Sequence, residues 1–247
     1  MGRLSDRDRS MIRRLRNARV LEDADAHKLK SPDGVIVVPC SDGDQMPDVF
    51  EHQCALAREV GRPVRPHMLS LHGGAMLIAE NCPLYREYRV DDLLLQHIRE
   101  AEGTDLKGIG TVVLYIHAPC GAAGLAGLSL VEQVVLLIRA KERVKEIDTT
   151  NAVVCFVHVD YGDRQRTYFI SRDRWLSYWA ALGRRLWGSL FLTDPHPEAV
   201  RTRASDSSEE DLPGPICQDV ELLNAPLSLG DTGPSPTQLA LENARNK

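Results

Sequence analysis

The sequence has no long hydrophobic run and no excess of positive charge. Its apolar stretches are shorter than the roughly 18 residues of a membrane span, and residues 1–20 lack the apolar core of a signal peptide. With 30 Lys and Arg against 35 Asp and Glu, the formal net charge of −5 argues against a dedicated nucleic-acid-binding protein. The six cysteines are too few and too unevenly spaced for a disulfide scaffold. We therefore expect a cytoplasmic protein without membrane or nucleic-acid partners, whose cysteines are reduced thiols or metal ligands.

Composition divides the 247 residues into three segments. Residues 1–30 combine many arginines with apolar residues at helical spacing, which predicts a basic helical arm lying on the body or on a partner subunit. Residues 31–193 carry nearly all of the strong patterning and form the predicted main domain. Residues 194–247 are rich in Pro, Gly and Ser and have little periodicity, so we expect a mostly disordered, low-complexity tail.

The middle segment alternates strand and helix patterns. Short, continuous apolar runs predict strands buried on both faces at 35–40, 67–71, 111–116 and 152–159. Helical spacing predicts helices at 48–61, 93–102 and 125–147, and a further helix at about 173–191 after a hairpin at Gly162-Asp163. This order predicts the α/β class, with a mainly parallel sheet flanked by helices.

Candidate metal ligands follow two of these strands. Cys40 comes at the end of the first strand, and His117 and Cys120 follow the third, so all three emerge at the sheet edge where open α/β sheets carry their sites. Each residue alone is also typical of an ordinary core side chain. Together, two thiolates and an imidazole form a recognised zinc set that leaves a fourth position open. Four other cysteines are left out of the predicted Zn²⁺ site: Cys54, Cys82, Cys155 and Cys217.

These motifs resemble those of the β-class carbonic anhydrases, which carry Cys-Ser-Asp-Ser-Arg after the first strand and His-x-x-Cys-Gly after the third. Here Cys40-Ser41-Asp42 matches the start of the first motif, and His117-Ala118-Pro119-Cys120-Gly121 matches the second. Ser70-Leu71-His72-Gly73-Gly74 stands where the family has its glycine turn. The resemblance covers about residues 30–170 and implies the β-carbonic anhydrase fold. It also implies a small-molecule substrate, carbon dioxide, and a homodimer or larger even oligomer with sites at the dimer interface.

The resemblance also implies roles for individual residues. Cys40, His117 and Cys120 would hold zinc, and Asp42 would be the catalytic carboxylate that takes a proton from zinc-bound water. The substrate pocket would include Asp44, His72, Gly73, Gly74 and Gly121.

One departure from the family concerns the arginine that holds its aspartate away from the metal. This chain has Asp44 at that position, which adds negative charge and no donor, so Asp42 becomes a candidate fourth zinc ligand. An arginine from elsewhere is the alternative restraint, and the candidates are Arg62, Arg65 and Arg86.

Three functions follow from this pattern. The first is a zinc-dependent lyase that hydrates carbon dioxide reversibly. The second is a related zinc hydrolase of another small molecule, such as carbonyl sulfide or carbon disulfide. The third is a non-catalytic zinc-binding homologue, whose fourth zinc ligand comes from the protein.

Overall fold

The computed structural model describes residues 3–29, 34–104, 106–147 and 152–191. The helices are α1 (Asp6–Asn17), α2 (Met46–Glu59), α3 (Val90–Glu102), α4 (Gly121–Leu125), α5 (Leu130–Ile147) and α6 (Arg172–Phe191). The strands are β1 (Leu21–Asp23), β2 (Val35–Val38), β3 (Pro66–Met68), β4 (Thr111–Ala118), β5 (Ala152–Asp160) and β6 (Gln165–Ile170). The predicted tail at 194–247, with Cys217, lies outside the described residues.

Within the described residues, six strands form one mixed sheet in the order β1-β6-β5-β4-β2-β3. Strands β3, β2, β4 and β5 run parallel to one another, whereas β6 is antiparallel to both β5 and β1. The predicted hairpin accounts for β6, and Gly162 takes the positive φ of 92° in its turn. The α/β class is therefore confirmed, with a parallel half and an antiparallel half.

Different helices cover the two faces of the sheet. One face packs against α1, α3, α5 and the 3-10 turn Gly74–Ile78, and it buries Leu114 and Ile116 of β4. The other face packs against α2 and buries Val113 and Tyr115. Because successive side chains of a strand point to opposite faces, all eight residues of β4 are buried, as the continuous apolar run indicated.

The N-terminal helix is part of the main core. α1 starts at the N-cap Ser5, whose side chain accepts a hydrogen bond from the backbone of Asp8, and it buries Ile12 and Leu15. The chain then enters the sheet, where Leu21 of β1 pairs with Ile170 of β6. The division of the sequence into three segments stays a prediction, but the basic helix of the first segment packs on the body.

The predicted helix at 125–147 is two helices. Gly127 adopts a φ of +67°, and the amide of Leu128 donates to the carbonyl of Ala123, which ends α4. Ser129 and Glu132 then form a reciprocal capping box, since each side chain accepts a hydrogen bond from the other's backbone amide. The chain therefore turns between the candidate metal-ligand loop and the long helix α5.

The helix after β6 carries an aromatic face. Trp175 is buried, and its ring stacks on that of Trp179 with centroids 5.4 Å apart. Among the helices of the described ranges, none combines the length and apolar character that a membrane crossing requires. The homodimer or larger even oligomer that the resemblance implies stays a prediction.

A histidine lies in the packing between α2 and the sheet. The Tyr115 hydroxyl accepts a hydrogen bond from Gln53 at 2.5 Å and lies 2.8 Å from Nδ1 of His52, to which it donates. Burial and, to a smaller extent, the neighbouring His158 lower the pKa of His52 to about 4. The imidazole is therefore held neutral in the folded protein.

Mild acid is expected to destabilise the fold through His52. Its folded-state pKa of about 4 lies below the ordinary histidine pKa of about 6.5. Its contribution to stability is thus complete above pH 6.5 and lost as the pH falls toward 4. Chemical denaturation should show a free energy of unfolding lower by about 2 kcal/mol at pH 5 than at pH 7 from this group. His52→Gln should flatten that slope and His27→Gln, at an exposed histidine, should not; equal slopes in all three proteins would contradict the assignment.

Candidate metal centre

Two strand ends bring the candidate ligands to one edge of the sheet. β2 ends at Val38, and Cys40 follows as an isolated parallel bridge partner of Leu71. On the neighbouring strand β4, His117 is the penultimate residue, and Cys120 lies beyond a cis Ala118–Pro119 peptide at the start of α4. β2 and β4 are adjacent and parallel, so both loops leave the sheet on the same side.

The sulfur atoms of Cys40 and Cys120 and a ring nitrogen of His117 all lie within 4.8 Å of one another. All three side chains are buried, and both cysteines are free thiols. Neither ring nitrogen of His117 has a hydrogen-bond partner among the described residues, although the ring is only 4% exposed. Buried polar atoms are rarely left unpartnered. A metal ion bound by one nitrogen resolves part of this deficit, and this donor set suits zinc.

The thiols of Cys40 and Cys120 shift each other's pKa in opposite directions. A hydrogen bond from the Cys120 thiol lowers the pKa of Cys40 to about 4 against the opposing effect of burial, and His117 and the Gly73 amide also lower it. The pKa of Cys120 is raised, first by Cys40 and then by burial. These opposite shifts favour Cys40 over Cys120 as the thiolate of the metal-free pair.

The glycine turn at Gly73 and Gly74 contacts the segment that carries Cys40. The Gly73 amide donates to the sulfur of Cys40 at 3.3 Å, from a backbone with a φ of +98°. Gly74 has a φ of +55°, and a Cβ placed there would lie 2.5 Å from the Cys40 nitrogen and 2.8 Å from the Pro39 carbonyl carbon. Two glycines are needed because the backbone turns left-handed while touching the ligand-bearing segment.

Asp42 lies beside the cluster, with Oδ2 4.0 Å from Nε2 of His117. Its other oxygen, Oδ1, accepts a hydrogen bond from the backbone amide of Asp44 at 3.0 Å. The side chain of Asp44 is therefore not the donor to Asp42; its main chain is. Within the described ranges, no arginine or lysine forms an ion pair with Asp42. Arg62, one of the candidates, donates to the carbonyl of Leu29.

A cleft of about 400 Å³ opens beside the cluster. Its lining residues are Cys40, Ser41, Asp42, Gly43, His72, Tyr85, Gly121, Ala122 and Leu125. Of the residues predicted for a substrate pocket, His72 and Gly121 line the cleft, Gly73 and Gly74 support Cys40, and Asp44 is exposed and holds Asp42. The sequence reasoning did not find Tyr85 and Leu125, which follow no motif.

Comparison with known proteins gives a distant similarity in structure. No family model matches the sequence, and no curated protein matches it. The chain is similar to the β-carbonic anhydrase CafD of the fungus Aspergillus fumigatus, with 12% identity and a TM-score of 0.34 over 61% of this chain and 99% of that one. It is also similar to β-carbonic anhydrase isoform I of the protozoan Trichomonas vaginalis, with 12% identity and a TM-score of 0.33 over 68% of this chain and 99% of that one. Similarity at this level establishes neither family membership nor an activity for this chain.

The other three cysteines that the structure describes differ from the candidate ligands. Cys54 and Cys155 are buried within α2 and β5, and Cys82 is buried after the glycine turn. Among the described residues, the search for groups of at least three His, Cys, Asp or Glu that could hold an ion finds the set of Cys40, His117 and Cys120. Packing accounts for the remaining described thiols.

Proposed function

We propose that Cys40, His117 and Cys120 hold one zinc ion and that this site hydrates carbon dioxide. The proximity of two thiols and an unpartnered, buried imidazole within 4.8 Å carries the proposal. Zinc in such a site supplies a water-derived hydroxide near neutral pH. The resemblance in sequence motifs indicates carbon dioxide as the substrate.

The chain's own residues supply orientation and proton transfer. The Gly73 amide stabilises the Cys40 thiolate, and the Asp44 amide fixes one oxygen of Asp42. The free position of Asp42 Oδ2, 4.0 Å from Nε2 of His117, lets this oxygen accept a proton or a hydrogen bond at the site. On the open side, Ser41 contacts Nδ1 of His72 through its hydroxyl at 3.2 Å, which places an imidazole at the mouth of the cleft.

Metal analysis and stopped-flow hydration together test this function. The purified protein is expected to hold about one zinc per chain and to hydrate carbon dioxide faster than buffer alone. Removing zinc with a chelator should abolish the hydration, and adding zinc back should restore it. Stoichiometric zinc without hydration would contradict the enzyme proposal, and absence of metal would contradict the site itself.

Asp42→Asn is expected to lower the hydration rate about 100-fold, because the amide cannot accept the proton. We further propose that Asp42 is the fourth ligand of the resting site. X-ray absorption at neutral pH should then show two sulfurs, one nitrogen and one carboxylate oxygen, and Asp42→Asn should change this spectrum. Asp44→Ala, which keeps the backbone amide, is the matched control and should retain the wild-type rate. An unchanged spectrum in Asp42→Asn would show that the Asp44 amide alone holds Asp42 off the metal.

One observation favours the non-catalytic alternative. No arginine of the described ranges pairs with Asp42, so a carboxylate is free to close the fourth position as in structural zinc sites. Zinc bound tightly, with a closed coordination shell at all pH values and no turnover, would support that alternative. Zinc with hydrolysis of carbonyl sulfide or carbon disulfide instead of carbon dioxide would support the hydrolase.

A further inference from the structure

The cleft beside the metal cluster is much larger than a three-atom substrate needs. Its volume of about 400 Å³ falls within the range of about 300–1,000 Å³ that is usual for pockets of larger organic ligands. A site built for carbon dioxide alone gains nothing from this additional space. The residues that line the cleft therefore indicate which chemical groups can bind in the additional volume.

The lining of the cleft combines polar and apolar residues. Ser41, Asp42 and His72 offer both hydrogen-bond donors and acceptors, and Asp42 lies beside the candidate ligand His117. Leu125, Ala122 and Tyr85 add apolar surface. A carbonyl group with an apolar substituent matches this combination.

Two of the apolar lining residues, Leu125 and Tyr85, are exposed in the fold. Leu125 is 88% exposed at the end of α4, and Tyr85 is 39% exposed. Exposed leucines occur singly on most proteins, but this one lies on the wall of the cleft together with an aromatic ring. Neither side chain contributes to the buried core, so packing does not explain their presence there.

The backbone of Tyr85 is a second, independent observation. Its φ of +53° and ψ of +23° put a bulky side chain in the left-handed region, which non-glycine residues rarely occupy. Such conformations persist where the surrounding structure enforces them, and they are concentrated at ligand-binding sites. At Tyr85 this backbone supports the ring on the wall of the cleft.

We propose that the substrate range of this site includes carbonyl compounds larger than carbon dioxide, with the carbonyl end between Asp42 and His72 and an apolar substituent against Tyr85 and Leu125. This substrate class rests on the proposed function, since Asp42 lies beside the candidate zinc ligand His117. The ligand class itself depends on the cleft walls and not on the metal.

Neutral amides test the proposal by binding, without any reaction. Acetamide and hexanamide share an amide end, whose NH2 group can donate to Asp42 and whose carbonyl oxygen can accept from Ser41 or His72, and they differ by four methylene groups. Each fully buried methylene corresponds to about a fourfold gain in affinity. In the purified full-length protein, NMR titration is expected to show hexanamide binding at least about tenfold more tightly than acetamide, with shifts at the Leu125 methyl groups.

Three variants assign that gain to the cleft. Leu125→Ser should remove most of the preference for hexanamide, and so should Tyr85→Asn, because asparagine tolerates the left-handed backbone while removing the ring. Leu93→Ser is the matched control, since Leu93 is a 52% exposed leucine of α3 that does not line the cleft. It should keep the wild-type preference.

The outcomes separate this proposal from the proposed function. Equal affinities of the two amides, a preference that survives both cleft variants, or its loss in Leu93→Ser would each overturn the substrate class. Zinc content is measured in the same samples. A protein without zinc would overturn the proposed function, yet the affinity ratio would still decide the ligand class, because neither amide requires the metal.

Discussion

Cys120→Ser is expected to lower the affinity for zinc by more than about 100-fold, because it removes one of three protein ligands. Loss of an outer partner alone costs about 10–100-fold in metal sites, and loss of a direct ligand should cost more. His117→Ala and Cys40→Ser should have similar effects, since the three donor atoms lie within 4.8 Å of one another. Metal analysis after dialysis against a weak chelator measures the retained zinc, and hydration activity should fall with it.

The remaining buried cysteines provide matched controls for this experiment. Cys54→Ser and Cys155→Ser also replace a buried thiol by a hydroxyl, but in α2 and β5 away from the cluster. Both should retain the zinc content of the wild type. Zinc lost equally from the controls and from Cys120→Ser would mean that the metal is held by other thiols, or that any thiol loss unfolds the chain. Circular dichroism on the same samples distinguishes these two causes.

Gly74→Ala is expected to destabilise the protein by about 3 kcal/mol or more and to release zinc. An alanine Cβ would lie 2.5 Å from the Cys40 nitrogen, a backbone atom that cannot move without moving the ligand. The φ of +55° adds a further cost for any residue with a side chain. Thermal or chemical denaturation measures the first effect, and metal analysis measures the second.

Gly121, a second glycine of the same site, provides the matched control for Gly74→Ala. Gly121 also lines the cleft, but its φ is not positive, and a Cβ placed there would have no neighbour within 4 Å. Gly121→Ala should therefore leave both stability and zinc content close to the wild type. If Gly74→Ala were tolerated equally well, the glycine turn would not be the support that fixes Cys40.

The order of strands and helices along the chain could be predicted, because each buried strand is a short apolar run in the sequence. β2, β4 and β5 were found in this way, although β2 ends at Val38 and not at residue 40. β1 was missed, since three residues carry too little pattern and its pairing depends on β6 far along the chain. The break between α4 and α5 was not predicted, although the sequence contains its signals: Gly127 and the Ser129-x-x-Glu132 capping box.

The grouping of the candidate ligands could also be predicted, since parallel strands end at one edge and the loops that follow them meet there. The surroundings of Asp42 could not be predicted in the same way. Its hydrogen-bond donor is the backbone amide of Asp44, and every residue except proline carries such a donor. The side-chain identity at that position therefore gives no indication of the contact. Tyr85 was missed for a related reason, because its position on the cleft wall depends on one unusual φ angle.

The pairing of β1 with β6 has a consequence for how this chain emerges from the ribosome. Leu21 cannot meet Ile170 until synthesis, at about 5–20 residues per second, has continued for on the order of ten seconds. α5, which α1 contacts in the finished fold, also appears late. During that interval Ile12 and Leu15 have no sheet or helix to cover them. The N-terminal segment can therefore complete its packing only after β6 has been synthesised.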